Sequence, residues 1–442
     1  MDPYNLLIEY FDTSRLWPNP RNSRVHSKKQ IRQIVKSIQE FGFTNPLLID
    51  ENMIILAGHG RWQAAKLCGL KQLPCVVLSK MSPSQKRAYV IADNKLAENS
   101  GWDKEILALE IQSLIELDSH FDVDAMGFEI AETDTLIEGL RPEEPADVRA
   151  DHLPAIEGRE VTRLGDLWIL GNQKIYCGSS LEHASFAAVM AGEKANMVFT
   201  DPPYNVPIAG NVSGLGKAEH REFAMGSGEM SSAQFTEFLA TAFGHLVDNS
   251  VDGSIHFLCM DWRHIAELQT AARGKYKELK NLCVWVKANG GMGTFYRSRH
   301  ELIFAYKNGA APHLNSFELG QYGRNRTNVW QYAGMNSFGS RRDKELALHP
   351  TVKPVDLIVD AIKDVSKRGG IVLDCFGGSG STLIAAHKTA RRARLIELDP
   401  VYVDRSIRRW ETYAKDDALL ASTGQTFSQV AAAKLKGDGY ES

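Results

Sequence analysis

Between residues 196 and 399 the chain repeats one pattern, a short and almost uninterrupted apolar run followed by a stretch able to form a helix. The runs are NMVFT (196–200), SIHFLCM (254–260), NLCVWVK (281–287), ELIFAYK (301–307), GIVLDCF (370–376) and ARLIELD (393–399). Strands apolar on both faces must be covered on both faces, so the pattern predicts an α/β fold built on a mostly parallel, doubly wound sheet. Helices are expected at VDLIVDAIKDVS, STLIAAHKTA and VYVDRSIRRWETYA. A hairpin, DLWILGNQKIYCG, comes first with Gly171-Asn172 as its turn. Ligands of such a sheet lie beyond the carboxyl ends of its strands.

Ahead of that sheet the pattern changes. Residues 1–130 read as a smaller α+β unit: a helix around Lys29 to Glu40, a strand PLLID, a turn at Glu51-Asn52, a strand MIILA, then GHGRWQAAKLCG opening a helix. Ile31, Ile34, Val35 and Ile38 follow the amphipathic spacing, and Gly42 is placed to stop that helix. From Ala131 to Glu157 there are eight acidic residues, two basic residues and three prolines without apolar periodicity, so 131–159 is expected to be an acidic linker. Residues 415–442, polar and rich in Ala and Gly, are expected to be a tail.

A length of 442 residues allows two or three folded units. With 51 Lys and Arg against 54 Asp and Glu the net charge is −3, so nucleic-acid binding must rest on local patches. No apolar stretch is long enough to span a bilayer and the first residues do not resemble a signal peptide, so the chain is expected to be cytoplasmic and to need no membrane. Six scattered cysteines without a CxxC pair indicate neither a disulfide framework nor a zinc site, and no metal is expected.

Two loops carry the chemistry. In NMVFTDPPYNV an apolar strand runs into Asp201, Pro202, Pro203 and Tyr204. The prolines remove N–H donors, which leaves a carboxylate and carbonyl oxygens as acceptors beside an aromatic ring. That set suits a planar amine: accepting the two hydrogens of an exocyclic amino group localises its lone pair, while Tyr204 stacks on the base. In GGIVLDCFGGSGSTLIAAHKTA a strand ends at Asp374-Cys375-Phe376. Gly377, Gly378 and Gly380 then turn the chain tightly before a helix that starts near Ser381 and Thr382. The next strand ends in Glu397, placed to hold a ribose diol. Alone, this second loop fits NAD as well as any other adenosine-containing cofactor.

Taken together, the loops resemble those of the amino-methylating DNA methyltransferases (N6-adenine or N4-cytosine), over residues 160–414. The order DPPY, HPTVKP, DCFGGSG resembles their beta group, in which the Rossmann-like sheet is permuted. The resemblance implies methyl transfer from S-adenosylmethionine to the amine of a base flipped out of double-stranded DNA, most simply adenine N6, with cytosine N4 as the alternative. It implies that Asp201, Pro202, Pro203 and Tyr204 hold the base. Asp374, Phe376, Gly377, Gly378, Gly380, Ser381, Thr382 and Glu397, with Thr351, Lys353 and Pro354, would surround the cofactor. Where the family often has an acid after KIYCG, this chain has Ser179-Ser180.

The segment 308–348 contains Arg324, Asn325, Arg326, Asn328, Arg341 and Arg342, with Trp330 and Tyr332, side chains suited to reading base edges and filling a vacated stack. It is expected to recognise the target. Residues 207–228, rich in glycine, are expected to be a loop that orders over substrate. The amino-terminal unit resembles ParB-type domains through GHGRWQAAK. This implies a DNA-tethering or regulatory module in which Gly58, Gly60 and Arg61 could cradle the phosphates of CTP or ATP. Two other readings compete, a ParB-like binding protein with an inactive methylase half and an NAD dehydrogenase; the latter gives no account of DPPY. The chemistry also admits RNA. A stand-alone modifying role, phage or host, in restriction-modification is expected rather than a single-chain restriction enzyme, and the oligomeric state, a homodimer included, stays open.

Overall fold

The computed structural model describes residues 6–118, 121–139, 149–154, 160–206, 228–287, 296–317, 326–332 and 352–437. The chain divides into two compact units, Met1–Pro142 and Glu143–Ser442.

The first unit comprises β1 (Ile8–Asp12), α1 (Lys28–Phe41), β2 (Leu47–Ile49), β3 (Ile55–Ala57), α2 (His59–Leu67), β4 (Gln72–Val77), α3 (Pro83–Glu98), α4 (Lys104–Leu117) and α5 (Ile130–Gly139). Its sheet has the order β1-β4-β2-β3. Leu16, Leu47, Ile49, Ile55, Ala65, Leu73 and Cys75 form its core. Helix α1 starts at Ser27, whose hydroxyl accepts from the Gln30 N–H, and stops where Gly42 donates to the Ile38 carbonyl. Helix α5 runs through the segment expected to begin a linker. Ala131, Thr133, Asp134 and Ile137 are buried on it, so one of the acids that suggested solvation faces the interior.

The second unit contains β5 (Leu167–Leu170), β6 (Gln173–Cys177), α6 (His183–Met190), β7 (Ala195–Thr200), α7 (Ser232–Asp248), β8 (Ser250–Met260), α8 (Ile265–Ala272), β9 (Glu278–Val286), β10 (His300–Lys307), β11 (Val329–Gln331), α9 (Val355–Val365), β12 (Ile371–Asp374), α10 (Ser381–Lys388), β13 (Arg392–Glu397), α11 (Pro400–Ala414), β14 (Leu419–Leu420) and α12 (Phe427–Gly437). The sheet order is β11-β9-β10-β8-β7-β12-β13-β6-β5-β14, and β8-β7-β12-β13-β6 are mutually parallel. Side chains alternate between two cores. Met197, Phe199, Val372 and Leu395 pack with α9, α10 and α11 on one face. Val198, Leu373 and Ile396 pack with α6, α7 and α8 on the other. The doubly wound α/β expectation therefore describes the molecule, with β10 antiparallel to both of its neighbours, β8 and β9. The segment expected to be a tail instead supplies β14 and α12. Phe427 packs on Trp168 with ring centroids 5.3 Å apart, covering the sheet edge that Leu420 also helps close. No helix among the described residues is long and apolar enough to cross a membrane.

Candidate active site

Strand β7 is apolar up to Thr200, and Pro202-Pro203 then end its ladder because they have no N–H to donate. The loop so formed is pinned by contacts to Asp201. Its Oδ1 accepts from the Tyr204 hydroxyl at 2.6 Å, and its Oδ2 accepts from the Lys353 ammonium at 2.5 Å. Lys353 also pairs with Glu301 of β10 at 2.8 Å and donates to the Tyr204 oxygen at 3.0 Å. The second Glu301 oxygen binds Lys287, which follows β9. The Lys353 cation lies 5.4 Å from the Tyr204 ring centroid. Burial drives Asp201 above the ordinary carboxylate range and Glu301 adds to this, while Lys353 opposes it. Glu301 itself is held down to about 2, because Lys353 and Lys287 outweigh its burial.

Asn205, in a left-handed conformation with φ 52°, ends the DPPY loop. Its Oδ1 accepts from the Gly228 and Met230 N–H groups and its Nδ2 donates to the Met230 carbonyl, so it clasps the chain on the far side of residues 207–227. Those intervening residues, expected to form a substrate loop, lie outside the described residues.

The glycine loop sits on the adjacent strand. Val372 and Leu373 of β12 pair with Met197 and Val198 of β7, so the two loops leave neighbouring strand ends. They are bonded directly: the Thr200 hydroxyl donates to Asp374 Oδ1 at 2.7 Å across 174 positions of sequence. Asp374 also accepts from the Thr382 hydroxyl at 2.7 Å and the Phe376 N–H at 3.0 Å. Burial raises it to about 6 against those donors. Gly377 and Gly378 form the turn, and Gly380 opens α10 at φ 80°, where a Cβ would stand 2.8 Å from the Ser406 oxygen. Glu397 ends β13, the next strand, with Oε2 accepting from the Gly378 N–H and Oε1 from the Asp399 N–H. Burial raises it to about 7. The half-buried Phe376 ring lies 5.7 Å from Phe238, and Ser381 is buried where its hydroxyl accepts from Arg409. Ser179 and Ser180 follow β6, whose Cys177 is in register with Glu397.

Several expected residues fall elsewhere. Lys353, grouped with the cofactor residues, places its ammonium on the carboxylates of the DPPY side. Pro354 caps α9, and Thr351 lies outside the described residues. Arg324, Asn325, Arg341 and Arg342 are also outside them. Arg326 is not available to read bases: it forms ion pairs with Asp360 and Asp364 of α9, each at 3.1 Å, and bonds Tyr332. Asn328 holds β11 against β9 through the Leu282 carbonyl. In the first unit Gly58 opens α2 at φ 99°, and the Arg61 guanidinium donates to the Asn45 carbonyl at 2.8 Å. Gly60 leaves room for the His26 ring, 3.1 Å from where a Cβ would stand. The reading from sequence missed Glu301 and Lys287, and an acid inside the apolar run HELIFAYK was the available signal. Among the described residues no group of His, Cys, Asp and Glu is arranged to hold a metal ion.

Both parts of the chain are similar in sequence to known proteins. Residues 195–408 match the N6/N4 family of DNA methylases, residues 6–94 the ParB N-terminal domain, and residues 105–164 the ParB-methyltransferase HTH domain, which spans the expected linker. The ParB-like nuclease domain-containing protein YnaK of Escherichia coli (strain K12) is 45% identical over 82 residues, 19% of this chain and 94% of the relative. The type II methyltransferase M2.MboI of Moraxella bovis is 25% identical over 253 residues, 54% of this chain and 88% of the relative. The crystal structure of M1.HpyAVI superposes with a TM-score of 0.38 at 17% identity, covering 53% of this chain and 96% of that one. The protein is a DNA methyltransferase. Its residues 195–408 are an N6/N4 DNA methylase domain, and a ParB N-terminal domain, residues 6–94, precedes it in the sequence.

Proposed function

We propose that this chain methylates double-stranded DNA at the exocyclic amine of a flipped base, adenine N6 in preference to cytosine N4, with S-adenosylmethionine as donor. The single observation that carries the reading is the Thr200 to Asp374 hydrogen bond, which ties the end of the strand leading into DPPY to the end of the strand leading into the glycine loop. The glycine loop fits an adenosyl group bearing a cationic sulfur. It offers one buried and one half-buried carboxylate, Asp374 and Glu397, each with lone pairs left beyond its present donors, next to a turn that excludes a Cβ. Glu397 would accept from the ribose hydroxyls, and Asp374 and Phe376 would line the rest. Bound there, the donor supplies an electrophilic methyl whose departure leaves a neutral thioether.

The residues of the chain do the remaining work. The Asp201 carboxylate and the Pro202 carbonyl accept the two amine hydrogens, which localises the nitrogen lone pair toward the methyl. Tyr204 stacks on the everted base and offsets part of the few kcal/mol spent on unstacking it. As the nitrogen–carbon bond forms the nitrogen gains positive charge, which the ionised Asp201 stabilises until one proton leaves to solvent. Holding both reactants in line at adjacent strand ends supplies much of the acceleration.

The test is incubation with methyl-labelled S-adenosylmethionine and unmethylated DNA, with a parallel RNA arm, followed by nucleoside mass analysis. N6-methyladenine in the DNA arm is the expected product. N4-methylcytosine would move the assignment to the other base, and label in RNA alone would overturn the choice of polymer.

A further inference from the structure

The acid of the DPPY loop is one member of a four-charge chain whose two central groups, Lys353 and Glu301, are largely buried. Lys287 binds one oxygen of Glu301, Lys353 binds the other at 2.8 Å, and Lys353 reaches Asp201 at 2.5 Å. The Tyr204 hydroxyl lies between the acids, 2.6 Å from Asp201 and 3.2 Å from Glu301. This is not a surface ion pair: Lys353 is 4% exposed and Glu301 11%. Glu301 stands on β10 opposite Trp285, in a strand held on both sides by antiparallel partners, so its position is fixed by the sheet.

Resting on the amino-methyltransferase reading above, we propose that Glu301 is a positioning residue that shares the Lys353 ammonium with Asp201, leaving Asp201 acceptor capacity for the target amine. Charge balance supports this. Asp201 and Glu301 match Lys353 and Lys287, whereas without Glu301 the buried Lys353 ammonium would have Asp201 as its one carboxylate partner and Lys287 would lose its own. The chemistry demands it as well. The amine becomes positive as the methyl arrives, and an unmatched cation bonded to the accepting carboxylate would oppose that charge in a medium that screens poorly. With two acids to bond, Lys353 can lean toward Glu301 when the amine claims Asp201, without leaving its buried position.

The groups that face Asp201 are Tyr204 on its own loop, Cys259 of β8, Glu301 of β10, Lys353 before α9 and Asp374 of β12, with Lys287 after β9 behind Glu301. The test is steady-state methyl transfer by the full chain across about pH 5 to 9, for wild type, Glu301→Gln, Lys353→Met and the double variant. Glu301→Gln is expected to lower kcat by roughly tenfold, with KM for both substrates kept within about threefold. It should move the acid limb of kcat down by about one pH unit, since a like charge beside Asp201 is gone. Lys353→Met should move that limb up, because two buried carboxylates then share the site, and the double variant should fall between. Should Glu301→Gln fail to fold, Glu301→Asp keeps the charge and must leave the limb in place while lowering kcat. Unmoved kcat and limb in Glu301→Gln, a limb that moves in Glu301→Asp, or limbs moving the same way in Glu301→Gln and Lys353→Met, would overturn the proposal while leaving the methyltransferase reading intact. A wild-type chain that moves no methyl group overturns both.

Discussion

Helices α2 and α10 begin alike and are used differently. Each follows a short buried strand, and each is opened by a glycine with positive φ, Gly58 at 99° and Gly380 at 80°. Around α10 the neighbouring strand ends contribute Thr200, Asp374 and Glu397, two of them acids that burial pushes to about 6 and about 7. Around α2 the Arg61 guanidinium, at the glycine turn, is directed onto the Asn45 carbonyl. The contrast teaches that a glycine-opened helix supplies the turn, and the ends of adjacent parallel strands supply the chemistry.

The largest expected effect attacks that lesson directly. Asp201→Ala, on the strand next to the glycine loop, should lower turnover by roughly 10²–10³, by analogy with loss of one polarising group, while S-adenosylmethionine still binds. Rate and equilibrium binding measured on one preparation check both halves.

Arg326→Ala asks whether the one described arginine of the expected recognition segment is architecture. It should cost about 3 kcal/mol of unfolding free energy in denaturant titration, because two carboxylates of α9 lose a largely buried partner. The salt dependence of DNA binding by the folded variant should match wild type; a shallower slope would return Arg326 to the DNA contacts.

Glu397 sharpens the comparison through pH. Its free carboxyl titrates at about 7, and the ribose diol prefers the ionised form, so the raised value weakens cofactor binding as pH falls. Affinity by calorimetry should drop about tenfold from about pH 8 to about pH 6, and Glu397→Gln should flatten that dependence. The smallest effect belongs to the other helix. Arg61→Ala should lower the stability of the first unit by about 1.5 kcal/mol, the worth of one charge-assisted hydrogen bond, read from its thermal transition.

What could be read from sequence was what neighbours in sequence determine. The strand into DPPY, the glycine loop, Glu397 and the Gly171-Asn172 hairpin turn are all local, and they stand where the pattern put them. What pairs at long range was hidden. Glu301, Lys287 and Lys353 meet only because β9, β10 and the start of α9 converge, and no spacing between their positions announces it. Polar composition misled twice. The start of the acidic run is α5, buried along Ala131 and Ile137, and the Ala-rich end is α12, anchored by Phe427 on Trp168. In both places a few apolar residues sufficed to dock a short helix whose remaining faces look like solvent-exposed linker.

The central claim, one crevice for base and methyl donor, is tested most directly by a structure of the chain with a duplex carrying a flipped target base and a non-reactive analogue of S-adenosylmethionine. The expected result is an exocyclic nitrogen bonded to Asp201 and the Pro202 carbonyl, about 3–3.5 Å from the position of the transferable methyl. An analogue held away from the Asp374 and Glu397 strand ends, or a base bound on the opposite edge of the sheet, would contradict it.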